Sequence, residues 1–171
     1  MIQIRNATIE DLSVIRSLAY DIWPVVYAGI ISAGQIEYML GKAYTIDALQ
    51  EQIAVKQHRF IVIEEDANIL GFASFGEKNN AEKNIFRLHK LYLALHQHGK
   101  GLGKMLVDHV AAEASNAGAE YLELNVNRRN PTVAFYRKMG FKVEKEIMEH
   151  IGNGYTVDDY IMLLNLSNRD C

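Results

Sequence analysis

Ile2 and Ile4 flank a polar Gln3 at the start of the chain, the alternation of a short strand. Thr8 followed by Asp11 is close to a capping box, and Leu12, Ile15, Leu18, Ala19 and Ile22 then keep helical spacing. Pro24 is expected to end or kink that helix. The helical period continues through Ile36, Met39 and Leu40, and again through Ile46, Leu49, Ile53 and Ala54 with Thr45 as cap. At residue 60 it shortens to two. Apolar runs at 60–63 and 69–75 around a polar turn at 64–68 predict a hairpin, and 85–93 predicts a third strand after a polar loop at 77–84. Residues 102–117 read as a helix closed by Gly118, and 121–126 as a strand. Pro131 opens a helix that stops at Gly140, and 141–149 with 156–166 form two further strands around Gly152, Asn153 and Gly154.

Hairpins and helical crossovers both occur in this order, so the fold class is α/β with a sheet of mixed direction. The length of 171 residues fits a single domain over 1–171, since no Ser/Gly-rich stretch or single-charge run reads as a linker. Against 21 acidic residues stand 18 Lys and Arg, a net charge of −3, which argues against nucleic acid and anionic membranes as partners. Neither a signal peptide nor a membrane-spanning run is found, and the expectation is a soluble, cytoplasmic protein. The one cysteine, Cys171, excludes a disulfide framework and Cys-based zinc patterns, and the histidines lack metal-ligand spacing, so no metal is assigned.

Chemistry concentrates in His98, Gly99, Lys100, Gly101, Leu102, Gly103 and Lys104, between a strand and a helix. Glycines at alternate positions let the main chain turn its N–H groups outward at a helix N-terminus, where the macrodipole favours negative charge. That arrangement suits a phosphate. No Ser or Thr follows Lys104, so the magnesium-binding hydroxyl of a P-loop is missing, and Gly-x-Gly-x-Gly departs from the dinucleotide fingerprint. A turn that merely joins strand to helix would need fewer glycines. About thirty residues on come Asn130, Pro131, then Phe135, Tyr136, Arg137, Lys138, Met139, Gly140 and Phe141.

Together these two stretches resemble the Gcn5-related N-acetyltransferases, and the resemblance extends over nearly the whole chain. It implies a mostly antiparallel central sheet of about seven strands flanked by helices, in which one parallel strand pair splays to admit acetyl-CoA. Carried over by position, the resemblance gives Leu91, Tyr92 and Leu93 to the pantetheine arm and the amides of residues 98–104, with Lys100 and Lys104, to the pyrophosphate. Tyr136 matches the tyrosine that protonates the departing thiolate, a task for a phenol that keeps its proton at neutral pH. Two departures stand out: His98 replaces the usual Arg or Gln, and Asn130 lies six rather than seven residues before Tyr136, which leaves Asn127 as a substitute cofactor ligand.

Acetylating an amine also requires something to take the proton of the ammonium. His89 is the first candidate, because strand alternation puts it on the face of Leu91 and Leu93 and imidazole titrates near neutrality; a structural or surface role for it is an equal reading. For the acceptor, Trp23 and Tyr27 in the first helical segment and Tyr155 with Asp158 and Asp159 near the last hairpin supply aromatic and acidic walls suited to an alkylammonium. Trp23 is equally a core residue by type. The segments 21–27 and 154–162 resemble the bacterial polyamine and diamine branch of the family. Direct transfer in a ternary complex is expected, because no nucleophilic Cys or Ser is placed for an acyl-enzyme. Left open are a small-molecule amine or a peptide amine as acceptor, a protein N-terminus or lysine among the latter, a non-catalytic CoA-binding or sensing role, and a homodimer.

Overall fold

A computed structural model of the chain describes residues 1–78 and 84–168. Most of the predicted polar loop at 77–84, and Cys171, lie outside the described residues. Seven strands hydrogen-bond in the order β1-β2-β3-β4-β5-β7-β6, in a mixed sheet with helices, as the sequence predicts. By its contacts the chain divides into two compact units, one of Met1–Gly76 with Lys90–His109 and the other of Glu77–His89 with the chain from Val110 onward.

In the first unit, β1 (Ile2–Asn6) lies antiparallel to β2 (Arg59–Glu65), with Ile4 opposite Ile63. β2 continues antiparallel into β3 (Asn68–Glu77). Their turn is tighter than the sequence implied: Asp66 and Ala67 both take positive φ, 51° and 66°, the left-handed pair whose twist matches a hairpin. Three helices follow β1. The capping box forms as predicted, Thr8 N–H donating to Asp11 at 2.7 Å, but it caps a short 3-10 turn that leads into α1 (Leu12–Val26). Pro24 lies inside α1 rather than at its end. It costs one backbone bond only, and Tyr27 N–H still returns to the Trp23 carbonyl at 3.0 Å to close the last turn. α2 (Ala33–Ala43) and α3 (Ile46–Ala54) begin at Ser32 and Thr45, whose hydroxyls accept N–H bonds from Gln35 and Ala48 at 3.1 Å. Leu12, Ile15, Trp23, Leu40 and Leu49 from the helices meet Phe60, Val62 and Phe72 in one apolar core.

β4 (Ile85–Leu93) and α4 (Leu102–Asn116) each contribute to both units. In the second unit the first half of β4 runs parallel to β5 (Tyr121–Asn127), paired from Ile85 opposite Tyr121 to Leu88 opposite Leu124. The ladder stops there, while β5 goes on to Asn127. α5 (Thr132–Lys138) comes next, then β6 (Lys142–Gly152) and β7 (Tyr155–Asn165), joined through Asn153 and Gly154 at φ 53° and 78°. β7 lies between β5 and β6, antiparallel to both. No helix among the described residues is long and apolar enough to cross a membrane.

Candidate active site

The glycine-rich turn takes the conformation its composition calls for. Gly99 and Gly101 sit at φ +80° and +81°, in the left-handed region that ordinary side chains avoid, and a β-carbon built at either would stand in open space. The first bond of α4 runs from Met105 N–H to the Gly101 carbonyl at 3.1 Å, so the N–H groups of Leu102, Gly103 and Lys104 precede the helical ladder. His98 places Nε2 3.4 Å from the Leu93 carbonyl. Lys100 reaches Gln97 at 3.1 Å and Lys104 reaches Asp108 at 2.7 Å, both exposed contacts that an incoming anion would compete with cheaply. Open main-chain donors, two conformationally free glycines and two lysines together fit a pyrophosphate.

The C-terminal half of β4 lies in the same unit. Tyr92 donates to or accepts from Tyr27, hydroxyl to hydroxyl at 3.0 Å, and packs its ring against Trp23 at 5.8 Å and Phe72 at 5.9 Å. Trp23 retains 7% of its surface and stands 4.6 Å from the Tyr27 ring, so it belongs to the core and backs Tyr27 and Tyr92. Gly71 on β3 is a site residue that the sequence reading passed over. A β-carbon there would lie 2.7 Å from both the Tyr92 carbonyl and the Leu93 side chain, so only glycine lets β3 approach this stretch. Lys90, also passed over, donates to Gln52 at 2.7 Å and lies over the rings of Tyr44 and Phe60 at 5.3 and 5.7 Å. Burial lowers its ammonium to about 8, with Lys56 adding to the effect.

Tyr136 belongs to the second unit. It is 8% exposed, its ring clasped edge-on by Phe135 at 5.2 Å and Phe141 at 5.5 Å, which fixes where the phenol points. Asn130 is buried, and its side-chain oxygen accepts the Thr132 N–H at 2.9 Å, starting α5. Asn127 does the same for Arg129 at 2.9 Å. Both amides therefore shape the entry to the helix that carries Tyr136.

One face of the β4–β5–β7 ladders is polar. Arg87 stands opposite Glu123, and Asn127 opposite Asp159, while Asn125 falls between them on β5; directly paired and alternate residues share a face. His89, two residues beyond Arg87, belongs to that face too. Glu123 is 2% exposed and receives Lys78 at 2.9 Å, with Arg87 3.8 Å from its other oxygen. Arg87 also donates to the Asn125 side-chain oxygen, and Asn125 in turn hydrogen-bonds Asp159. Burial pushes the Asp159 carboxyl up to about 6, helped by Glu149 and Asp158 and opposed by Asn125 and Arg87. Asp158, on the opposite strand face, pairs with Arg128 at 2.7 Å. Tyr155 begins β7 and is half-buried. Of this network the sequence reading gave a role only to His89, Asn127, Asp158 and Asp159; Arg87, Glu123 and Asn125 were given none, being polar residues at alternate positions of predicted strands.

A seven-stranded mixed sheet with one parallel pair, and a chain that carries a glycine-rich turn ahead of α4, agree with an acetyltransferase architecture. The family described as acetyltransferase (GNAT) domain matches residues 29–159, and the chain belongs to it. A spermidine N(1)-acetyltransferase of Thermoplasma acidophilum is 32% identical over 148 residues, which is 84% of this chain and 89% of that one. The crystal structure of the PaiA N-acetyltransferase of Thermoplasma acidophilum, in complex with coenzyme A, superposes with a TM-score of 0.82 at 29% identity, covering 96% of this chain and 99% of the other. An N-acetyltransferase from Staphylococcus aureus has a TM-score of 0.75 at 25% identity, over 97% and 99% of the two chains. The protein is accordingly an N-acetyltransferase by family.

Proposed function

We propose that the chain works as one acetyl-CoA-dependent domain that acetylates a small primary amine of the polyamine type by direct attack in a ternary complex. The observation that supports the cofactor half is the turn at residues 98–104, where two left-handed glycines, each with open space at its Cβ position, lead into the N-terminus of α4. The similar PaiA protein was crystallised with coenzyme A, which agrees. Leu91, Tyr92 and Leu93 would hold the pantetheine arm, and Lys100 and Lys104 would add charge at the phosphates. Acetyl-CoA supplies a thioester whose carbonyl carbon is the electrophile and whose sulfur departs as thiolate.

Tyr136 would protonate that sulfur, the role that the family resemblance gives it. For the acceptor, the carboxylates of Asp159 and Glu149 suit a flexible cation. The resemblance to a spermidine N(1)-acetyltransferase points to the same chemical class.

Two measurements test the reading. Thiol release from acetyl-CoA should be stimulated by spermidine and aliphatic diamines above amino acids and above a peptide with a free N-terminus. Tyr136→Phe keeps the ring contacts with Phe135 and Phe141 and removes the hydroxyl, so turnover should fall tenfold or more while acetyl-CoA affinity changes little. Acetyl-CoA binding without thiol release for any amine would favour a sensing domain instead, and undiminished turnover in Tyr136→Phe would remove its assigned role.

A further inference from the structure

The ammonium of an amine acceptor has no lone pair, and the proton must leave before nitrogen can attack. Two groups on the polar face of β4, β5 and β7 are candidates for taking it: His89 and Asp159. They differ in how they are held. Asp159 pairs with Asn127 on β5 and Ile147 on β6, in the middle of three strands, whereas the β4–β5 ladder ends at Leu88 and Leu124, before His89. Beyond that last rung, β5 carries Asn125 and Asn127 alongside Ile161 and Asp159 of β7. Asp159 thus stands opposite Asn127 at the carboxyl end of β5, past the last rung that β5 shares with β4.

Its surroundings fix its orientation. Lys78 grips Glu123 at 2.9 Å, Glu123 faces Arg87 at 3.8 Å, and Arg87 donates to the oxygen of Asn125. With its oxygen taken by a guanidinium, the Asn125 amide has only its NH₂ to offer Asp159, so the asparagine is locked in the sense that donates to the carboxylate. A carboxylate held by one donor keeps its other lone pairs for a proton.

We propose that Asp159 is the general base of the reaction, accepting the proton of the acceptor ammonium, and that Asn125 and Arg87 are positioning residues that aim it. The step is R–NH₃⁺ plus carboxylate giving R–NH₂ plus carboxylic acid: one N–H bond breaks, one O–H bond forms, no electrons are exchanged, and the acid afterwards returns its proton to water. This deepens the N-acetyltransferase reading and rests on it. The groups that set the Asp159 charge are Glu149 from β6, Asp158 from β7, Asn125 from β5 and Arg87 from β4; His89, two residues beyond Arg87, lies on the same face. Burial and the two neighbouring carboxylates bring Asp159 to about 6, near enough to neutrality to be both ionised at pH 7 and basic.

The test uses the amine that turns over fastest in the panel above. Asp159→Asn should lower kcat/KM on the order of 10²-fold or more, with kcat carrying most of the loss, while calorimetric affinity for acetyl-CoA stays within about twofold. In the wild type kcat/KM should drop below about pH 6, and that limb should be absent in the variant. Asn125→Ala keeps the carboxylate but removes a bond to its charged form, so activity should survive with the limb moved to higher pH. This second variant decides the matter where Asp159→Asn does not fold. Asp159→Asn with unchanged kcat and an intact limb would overturn the proposal and point to His89. A raised KM at constant kcat would also overturn it, leaving Asp159 as a cation-binding group, and an unmoved limb in Asn125→Ala would overturn the positioning role. Absence of thiol release by the wild type with every amine would instead overturn the underlying acetyltransferase reading.

Discussion

A β-carbon at Gly101 would stand in open space, yet the residue sits at φ +81°, where an alanine costs roughly 1–2 kcal/mol. Gly101→Ala therefore has two separable effects. Strain should lower stability by about 1 kcal/mol, seen as a shift of the denaturation midpoint. Crowding, because the protein itself leaves the site open, would arise only against a bound ligand, and the acetyl-CoA dissociation constant should rise tenfold or more by calorimetric titration. Unaltered affinity would dismiss the turn as a phosphate cradle. The glycines were legible because their spacing has few other uses. Arg87, Asn125 and Lys90 were not, because a polar residue at an alternate strand position reads as solvent-facing until the ladder register shows what it meets. Trp23 illustrates the converse: its type fits a ligand wall as well as a core, and only its 7% exposure among Tyr27, Tyr44 and Tyr92 shows it packed.

At the level of elements, hydrophobic period was a good guide to existence and order: the seven strands and five α-helices among the described residues follow the predicted sequence of elements. It was a poorer guide where backbone satisfaction decides. Pro24 does not stop α1, because its missing donor removes one bond near the end of a helix already packed through Leu12, Ile15, Ala19 and Ile22. The β2–β3 turn shrinks to Asp66 and Ala67 because β2 is buried from Phe60 through Glu64, and pairing those residues is worth more than a longer loop. Close approach of β3 to the end of β4 was invisible, for Gly71 is a lone glycine in a strand. Gly71→Ala should push Tyr92 and Leu93 away from β3, since the new methyl would meet a carbonyl oxygen at 2.7 Å that cannot swing aside. A loss of stability of about 1–3 kcal/mol, and a rise in the acetyl-CoA dissociation constant, are the expected outcomes, measured by urea unfolding and calorimetry. Wild-type values for both would mean that the strands yield there without cost.

For the whole molecule, pH dependence of stability collects four perturbed groups. Arg5 holds Asp11, 2.7 Å away, down to about 2, and lowers Glu64 as well. An acid lowered by folding adds stability above its unfolded value near 3.9, and that stability drains as pH falls toward 2. Asp159 works in the other sense. Raised to about 6, it favours the folded state when protonated, so its contribution falls away as pH rises from about 4 to 6. Lys90, lowered to about 8 against roughly 10.4 unfolded, binds its proton more tightly in the unfolded chain, and stability should climb between about pH 8 and 10. Urea midpoints at fixed m-value resolve these windows by difference. Wild type minus Asp159→Asn should decline between pH 4 and 6 and be flat above, and wild type minus Lys90→Met should rise between pH 8 and 10. A Lys90→Met variant that rises with the wild type would show that the lysine reaches water, and would withdraw the buried ammonium above Tyr44 and Phe60 from the account of this fold. The declining window belongs to the carboxylate proposed as base, so the fold gives up stability near neutral pH to keep that group ionised and half-buried, as functional sites commonly do.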